Sequence, residues 1–447
     1  MAAPLASDGY SIYSCLRGHK GQVLCIAAPD AKAGDALVAT SAEDSTVRLW
    51  DLRDGGATSS GSGPSSSSPR VATCLCRCFG GEAVSSVVFG AGDANRLYCS
   101  AGGKVLEFDL RSSGGARALL VTSSAAIFDD GEEEVNELAV HPKGDYLAAA
   151  DDSGVVKIYN TRTRRVDRSL RNVHTNICHA VRFRPRASWD IASGALDSTL
   201  VFWEFSTGRV RRKLNVTEDI GASFACSASS SSPQQLFNPP FVHSVDFTAD
   251  GCYLAAGLGD SGVVVIDAKT RTPVGRCDGH SAPISQVHYP CFDSKLLISA
   301  GNDQRLLVWD QRQFEQRPEP SNRIKVSGGA DGGSGGETLK QTGKKKGKKK
   351  GLNKQKSASE TAGQPSHNDA ASTKSEGTGQ GSSRGSGGAK APAPQEEDGV
   401  VRCSSPLLSV RLEEKPNWVT SLATPYPAIA IADTSSVAKI LRRHGGA

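Results

Sequence analysis

Four stretches of the chain share one order of small, polar and apolar positions. Each runs from small residues through a turn containing Asp to an apolar segment that ends near an aromatic residue. They are residues 40–51 (TSAEDSTVRLWD), 148–160 (AAADDSGVVKIYN), 193–204 (SGALDSTLVFWE) and 299–310 (SAGNDQRLLVWD). Weaker copies occupy residues 99–109, 256–267 and 430–441. Short apolar runs bounded by turn residues are typical of β-strands, so the pattern predicts seven copies of one all-β unit.

Three of the copies carry His, Ser or Thr, Asp and Trp at matching positions. The sets are His19, Thr40, Asp44 and Trp50; His174, Ser193, Asp197 and Trp203; and His280, Ser299, Asp303 and Trp309. A Gly precedes both His19 and His280. This pattern resembles the WD-repeat family, in which each repeat forms a four-stranded propeller blade. The resemblance implies an all-β fold, a seven-bladed WD-repeat β-propeller.

The same residue types could be taken for a catalytic set. In the family, however, a buried Asp accepts a hydrogen bond from the His and ties the strands of one blade together. This arrangement satisfies polar groups that would be costly to bury alone. Because the sets recur at equivalent positions, we expect the structural role, with neither enzyme activity nor a cofactor.

The ends of the repeat region indicate how the ring would close. Residues 10–16 (YSIYSCL) alternate like a strand, and in the family such a segment becomes the outer strand of the last blade. We therefore place this closing strand and six blades within residues 10–317, and the last blade within residues 400–443. Residues 318–399 are rich in Gly, Ser and Lys without apolar periodicity, which predicts a long disordered insertion before the last blade.

The net charge of +5 is concentrated in that insertion. Residues 319–399 hold 14 Lys and Arg against 9 Asp and Glu, which is the whole excess. The remainder is neutral and gives no electrostatic reason to expect a nucleic-acid partner. A Lys run resembles a nuclear import signal, although a solvated charge run is the alternative. Its residues are Lys344, Lys345, Lys346, Lys348, Lys349 and Lys350.

The remaining sequence features indicate a soluble intracellular protein, and together with the Lys run they give an expected location in nucleus and cytoplasm. The first 16 residues do not resemble a secretory signal, and no apolar stretch reaches the length of a membrane helix. The 12 cysteines include no CxxC pair. Cys74, Cys76 and Cys78 alternate on one predicted strand face, for which strand packing is favoured over a metal site.

The family resemblance also implies a class of partner. Some WD-repeat proteins are substrate receptors of the cullin-4 ubiquitin ligase, and they dock its adaptor through a Trp-Asp-X-Arg box at the end of a blade's third strand. Residues 50–53 and 309–312 match this box, and residues 108–111 keep its Asp and Arg. The expected adaptor-binding residues are Asp51, Arg53, Asp109, Arg111, Asp310 and Arg312. A solvated charge at a strand end is the alternative role for each Arg.

Two functions from the same binding class follow. The first is a protein-interaction scaffold that docks the ligase adaptor, through Arg53 and Arg111 on adjacent blades, and holds an unknown substrate protein. The planar guanidinium suits docking because it makes paired hydrogen bonds and is weakly hydrated. The second is a nuclear scaffold in chromatin or ribosome assembly, without a ligase role. Neither function involves a membrane or a small-molecule substrate.

Overall fold

The structure is a computed structural model that describes residues 9–30, 36–52, 70–75, 80–111, 120–121, 126–221, 239–315, 401–423 and 427–443. For residues 70–75, 120–121, 126, 129 and 130 it describes the backbone alone. The predicted insertion at 318–399 lies outside these ranges.

The described strands follow one another in chain order. β1 is Tyr10–Arg17, and the first blade contains β2 (Val23–Ala27), β3 (Leu37–Ala42), β4 (Val47–Asp51) and β5 (Arg70–Leu75). The second contains β6 (Val84–Gly90), β7 (Asp93–Ala101), β8 (Lys104–Asp109) and, after the short β9 (Leu120–Val121), β10 (Ala126–Asp130). The third contains β11 (Val135–Val140), β12 (Tyr146–Asp151), β13 (Val156–Asn160) and β14 (Arg165–Leu170). The fourth contains β15 (Cys178–Phe183), β16 (Asp190–Ala195), β17 (Thr199–Glu204) and β18 (Arg209–Asn215).

The remaining strands complete the ring. The fifth blade contains β19 (Val242–Phe247), β20 (Tyr253–Leu258), β21 (Gly262–Asp267) and β22 (Thr272–Asp278). β23 (Ile284–His288), β24 (Leu296–Gly301) and β25 (Arg305–Asp310) begin the sixth, and β26 (Val401–Cys403) and β27 (Leu408–Arg411) follow. The seventh contains β28 (Pro416–Leu422), β29 (Ala428–Asp433) and β30 (Val437–Arg443). A π-helical turn, Val216–Ile220, follows β18, and a 3-10 turn, Gln311–Phe314, follows β25.

The ring is closed as a seven-bladed β-propeller, as the sequence predicts. The first strands of the blades (β2, β6, β11, β15, β19, β23 and β28, the inner strands) contact one another in that order, and β28 contacts β2. β1 pairs antiparallel with β30, from Tyr10 opposite Arg443 to Arg17 opposite Val437. The last sheet therefore has the order β1-β30-β29-β28, and a strand from before the first blade supplies its outer edge.

The core lies between the blades. One hydrophobic cluster occupies each of the seven interfaces between neighbouring blades. On β21, Val264 packs toward the fourth blade, whereas Val263 and Val265 pack toward the sixth. Both faces of such a strand are covered, so its sequence is a continuous apolar run instead of an apolar-polar alternation.

The sixth blade differs from the expected boundaries. Its outer strand is β27, which pairs with β25 although it follows residues 316–400 in the chain. β26 pairs with β22 as a fifth, parallel strand of the fifth blade. Residues 401–411 thus belong to the fifth and sixth blades, and the last blade starts at Pro416 and not at residue 400. The insertion interrupts the sixth blade between its third and fourth strands.

Within the described ranges, no helix has the length and apolar character needed to cross a membrane.

Candidate functional site

The set in the sixth blade shows how the repeated His, Ser, Asp and Trp residues are connected. The indole Nε1 of Trp309 donates to Oγ of Ser299 at 2.9 Å, and Nε2 of His280 lies 2.8 Å from the same oxygen. Nδ1 of His280 lies 2.9 Å from Oδ1 of Asp303, whose Oδ2 accepts the backbone N–H of Ser281. The chain of bonds joins the loop that enters the blade to the second and third strands.

The structure brings together the sets of the first and fourth blades in the same way. Nε2 of His19 lies 2.7 Å from Oγ1 of Thr40, which accepts from Trp50 at 2.8 Å. In the fourth blade the corresponding bonds to Ser193 Oγ measure 2.7 Å from His174 and 2.8 Å from Trp203, and Asp197 lies 3.5 Å from the His ring.

The Asp residues of these sets have a low pKa. Burial alone would raise the pKa of Asp303, but hydrogen bonds from His280 and the backbone N–H of Ser281 outweigh it, so the pKa lies below its ordinary value. The same balance holds the pKa of Asp44 and Asp197 well below the usual range. The carboxylates are therefore held ionised as hydrogen-bond acceptors.

The geometry of the sets argues against catalysis. The side chains of Thr40, Ser193 and Ser299 are fully buried, each with its hydroxyl oxygen held between a Trp and a His. A catalytic hydroxyl must instead reach a substrate atom.

The Asp-X-Arg turns at the ends of third strands form a second repeated feature. Nε and Nη2 of Arg111 donate to the two oxygens of Asp109 at 3.0 and 2.9 Å, and the backbone N–H of Arg111 donates to Oδ1 at 3.0 Å. Arg312 and Asp310 form the same three bonds, at 2.8, 2.6 and 3.0 Å. The arginine side chains are 55% and 56% exposed, so each turn presents a guanidinium held in a fixed direction.

The bonds within each turn also determine its charge state. Hydrogen bonds from Arg111 hold the pKa of Asp109 below its ordinary value, and those from Arg312 do the same for Asp310. The pairing uses Nε and Nη2, which leaves the Nη1 donors of each guanidinium for another molecule.

The structure locates only part of the expected pair of Trp-Asp-X-Arg boxes on adjacent blades. Asp51 ends β4, whereas Arg53 lies outside the described residues. Arg111 follows the third strand of the second blade and Arg312 that of the sixth. The first and seventh blades separate them, so these two do not form an adjacent pair.

Two basic residues occupy the equivalent position although their turns do not match the Trp-Asp-X-Arg box. Arg162 follows the third strand of the third blade, and its backbone N–H donates to Oδ1 of Asn160 at 3.0 Å. Lys269 does the same with Asp267 at 2.9 Å in the fifth blade. The sequence signal shared by these turns is Asp or Asn followed two residues later by a cation, which is broader than Asp with Arg.

A row of polar side chains on the inner strands was also not foreseen. Nη1 of Arg182 donates to Oε1 of Glu137 at 2.5 Å, and Nε lies 3.7 Å from Oδ1 of Asp246. Oδ2 of Asp246 lies 3.1 Å from Nδ1 of His288, whose Nε2 lies 2.8 Å from Oγ of Ser421. The row links one residue from each blade from the third to the seventh. Such contacts join inner strands that share no backbone pairing.

The row includes the constellation Ser421–His288–Asp246, which has the order of a catalytic triad. Ser421 is only 6% exposed, and its Oγ also accepts the backbone N–H of Cys291 at 2.9 Å. A nucleophilic oxygen needs an open side for its substrate, so these contacts favour a structural joint between the sixth and seventh blades.

The two carboxyl groups of this row have pKa values shifted in opposite directions. Burial raises the pKa of Glu137 to about 7, against the opposing effects of Arg182 and the backbone N–H of Val181. Burial would also raise the pKa of Asp246, but His288 and Arg182 outweigh it and lower that pKa. The guanidinium of Arg182 also lies 5.8 Å from the ring centroid of Trp418 in the seventh blade, beside an open cavity of about 220 Å³.

Other expected sites are not contained in the described part of the chain. The import-signal lysines at 344–350 lie outside it, as do Cys76, Cys78 and the side chain of Cys74. Among the residues whose side chains are described, no group of three or more His, Cys, Asp or Glu could hold a metal ion.

Comparison with known proteins identifies the repeat. The family model described as WD domain, G-beta repeat matches residues 9–51, 122–160 and 271–310. WD repeat-containing protein 53 homolog of Dictyostelium discoideum is 30% identical over 305 residues, 66% of this chain and 77% of that protein. U3 small nucleolar RNA-associated protein 15 of Schizosaccharomyces pombe is 30% identical over 138 residues, 31% of this chain and 26% of that protein.

A solved structure matches the fold over almost the whole chain. The WD40 beta propeller domain of Doa1 aligns with a TM-score of 0.59 and 12% identity, covering 98% of each chain. This likeness concerns the fold alone. Together with the repeated residue sets and the extent of the Dictyostelium match, it leads to one conclusion: the chain belongs to the WD-repeat family of β-propellers.

Proposed function

We propose that this WD-repeat scaffold is a substrate receptor of the cullin-4 ubiquitin ligase that docks the ligase adaptor through its Asp-X-Arg turns. Propellers of this family are interaction scaffolds and typically not enzymes. The proposal adds a particular partner to that general role. A rigid ring that presents many loops suits simultaneous binding of an adaptor and a substrate protein.

The observation that carries the proposal is the pair of hydrogen bonds from Arg111 to the carboxylate of Asp109. The guanidinium is exposed, yet its direction is fixed by hydrogen bonds to both carboxylate oxygens. A side chain ordered before binding loses less conformational entropy when a partner binds. We propose that Arg53, in the matching Trp-Asp-X-Arg box of the neighbouring first blade, acts with Arg111 in binding the adaptor. The turn of Asp310 and Arg312 offers the same chemistry on the sixth blade.

The proposed mechanism is positioning. A receptor that holds its target beside the ligase raises the effective concentration of the target's lysines near the transferred ubiquitin. No group of the receptor takes part in bond formation, in keeping with the buried hydroxyls of the His, Ser and Asp sets.

The test is a pull-down of purified cullin-4 adaptor by the full chain. Wild type and Arg211→Ala are expected to retain the adaptor, whereas Arg53→Ala/Arg111→Ala is expected to lose it. Arg211 is a matched control because it is also exposed and salt-bridged, to Glu204 at 2.9 Å on the fourth blade. Circular dichroism checks that each variant is folded. Absence of binding by wild type, or equal binding by the double variant, would contradict the proposal.

The second candidate is a nuclear scaffold without a ligase role. It is favoured by the partial likeness to a small nucleolar RNA-associated protein and by the Lys-rich run at 344–350. We propose that this run directs nuclear import, with the protein present in nucleus and cytoplasm. Nuclear accumulation of a fluorescent fusion that is lost when the six lysines become Gln would support the import role. Accumulation without adaptor binding would favour this second candidate.

A further inference from the structure

The outer strands of the third and fourth blades concentrate positive charge on the side of the ring. Residues 162–171 and 209–213 contain nine Arg and Lys against one Asp. We call these two segments the basic edge. The neutral charge of the propeller as a whole conceals this cluster, because acidic residues elsewhere in the ring balance it.

The two strands of the basic edge have the same sequence pattern in the same register. β14 begins Arg-Val-Asp-Arg and β18 begins Arg-Val-Arg-Arg. Each pairs with its neighbour through an identical bulge, at Asp167 in β14 and at Arg211 in β18. Val166 and Val210 therefore occupy equivalent positions, and they are 45% and 41% exposed. Two exposed valines, each directly preceded by an arginine, repeat on neighbouring blades.

Part of this charge is not neutralised within the described structure. Arg162, Arg164 and Arg211 form salt bridges with Asp145, Glu107 and Glu204. Arg165, Arg209 and Arg212 are exposed and form no salt bridge with any residue that the structure describes. An exposed cation without an acidic neighbour can attract a negatively charged partner with little loss of existing bonds.

The same ring shows that its outer edges accept an additional strand. β9 pairs in parallel with β5, and β26 pairs in parallel with β22. β14 and β18 are the last strands of their sheets, and no described strand adds to their outer edges. The segments that accept β9 and β26 are Cys74–Leu75 and residues 275–277, which together contain one cation. The basic edge differs from them by its charge.

From these observations we infer that the basic edge binds an extended acidic peptide of a partner protein, which adds as a parallel strand to β18. Backbone groups of the open edge hold the peptide, as in strand addition elsewhere. Its carboxylates contact Arg209 and Arg212, and an apolar side chain between them covers Val210. The arginines also repel a second basic edge, which protects β18 from pairing with another copy of the chain.

A protein partner fits this surface better than a nucleic acid. The exposed valines and the open backbone edge offer bonds that a phosphate backbone does not use. The two strands carry no aromatic residue on which a base could stack.

Fluorescence anisotropy with a labelled peptide tests the inference. The probe is a ten-residue peptide of Glu with Val at every third position, and the comparison peptide has Gln for Glu. The full chain is expected to bind the acidic peptide, and Arg209→Glu/Arg212→Glu to bind it at least about tenfold more weakly. Arg17→Glu/Arg411→Glu is the matched control because it reverses two exposed arginines on the outer strands of other blades. It is expected to bind like wild type.

Two further arms separate strand addition from simple charge attraction. Hydrogen exchange is expected to slow in residues 209–215 when the peptide binds, and N-methylation of alternate peptide amides is expected to weaken binding. Unchanged affinity of the charge-reversed variant, of the N-methylated peptide or of the Gln peptide would overturn the inference. Tighter binding of a single-stranded RNA of equal charge, lost in the same variant, would assign the surface to nucleic acid instead.

If the charge reversal unfolds the chain, Arg209→Gln/Arg212→Gln replaces that variant, and it is also expected to weaken binding of the acidic peptide. Adaptor binding is expected to be unaffected, so this inference and the proposed function fail separately.

Discussion

Arg182 and Glu137 meet at 2.5 Å between the fourth and third blades, on inner strands that share no backbone pairing. Glu137 also accepts the backbone N–H of Val181 at 2.7 Å, so one carboxylate holds two groups of the next blade. The glutamate is only 3% exposed. A buried carboxylate of this kind depends on its cation, because water does not solvate the charge.

We expect Arg182→Met to lower the free energy of unfolding by about 3–5 kcal/mol at pH 8, because it leaves Glu137 buried without its cation. The loss should be smaller at pH 5. The pKa of Glu137 in the folded state is raised to about 7, above the ordinary 4.5, so the folded state binds the proton more tightly than the unfolded state. The contribution of Glu137 to stability therefore falls as pH rises from 4.5 to 7, and at pH 5 the side chain is largely protonated and needs its cation less. Urea unfolding at both pH values measures the effect. Arg162→Met, which removes an exposed salt bridge, should cost less than about 1 kcal/mol; equal losses for both variants would contradict the account.

The bonded set of the sixth blade predicts a strong effect of one hydroxyl. Ser299→Ala removes the oxygen that contacts both Trp309 and His280, and should destabilise the chain by about 1–3 kcal/mol because two buried nitrogens lose a partner. Ser281→Ala, in the exposed entry loop of the same blade, should change stability by less than about 0.5 kcal/mol. Thermal and urea unfolding compare the two. A neutral Ser299→Ala would show that the set does not support the blade.

The lowered pKa of Asp303 predicts a dependence on acid. A folded-state pKa below the ordinary 3.8 means that the carboxylate contributes stability above that pH, and that the contribution is lost as pH falls below it. Asp303→Asn should therefore be less stable than wild type by about 1–3 kcal/mol at pH 7, with the difference shrinking toward pH 2. Unfolding across this range checks the trend. Asp167→Asn, at an exposed position, serves as the control, and a difference that grows in acid would contradict the assignment.

The Ser421–His288–Asp246 contact predicts lost stability and not lost catalysis. Ser421→Ala removes the acceptor of the Cys291 N–H and the contact with His288, so it should cost about 1–2 kcal/mol. Ser404→Ala, at an exposed position, is the matched control. A second measurement treats both variants and wild type with a serine-directed fluorophosphonate probe. Labelling of wild type that is absent in Ser421→Ala would show a reactive serine and contradict the structural interpretation.

The fold could be predicted because each blade carries its characteristic residues within one short stretch of the chain. The set of His280, Ser299, Asp303 and Trp309 recurs in two other blades, with a constant spacing from the Ser or Thr to the Asp and the Trp, since each set must meet inside one sheet. The outer strand of the sixth blade could not be assigned in this way. Leu408–Arg411 follows the long segment 316–400, and its four residues carry no repeat signature. Only pairing with β25 reveals its blade.

The features of the candidate site could likewise be predicted only where their residues are close together in sequence. The Asp109–Arg111 turn is contiguous in sequence, so its motif was visible. The row from Glu137 to Ser421 takes one residue from each of five blades, and no short motif marks such a contact across the ring. The basic edge was hidden because a summed charge of zero does not record where the charges lie, although Arg165 and Arg209 share one register position.

The most direct test of the central claim is a titration of purified cullin-4 adaptor against the full chain, with Arg111→Ala and Arg211→Ala alongside wild type. The account predicts saturable binding by wild type and by Arg211→Ala, and a dissociation constant at least about tenfold higher for Arg111→Ala, because an ordered guanidinium at the interface is lost. Absence of saturable binding by folded wild type, or equal affinity of all three proteins, would contradict the claim that this propeller is a cullin-4 receptor docked through its Asp-X-Arg turns.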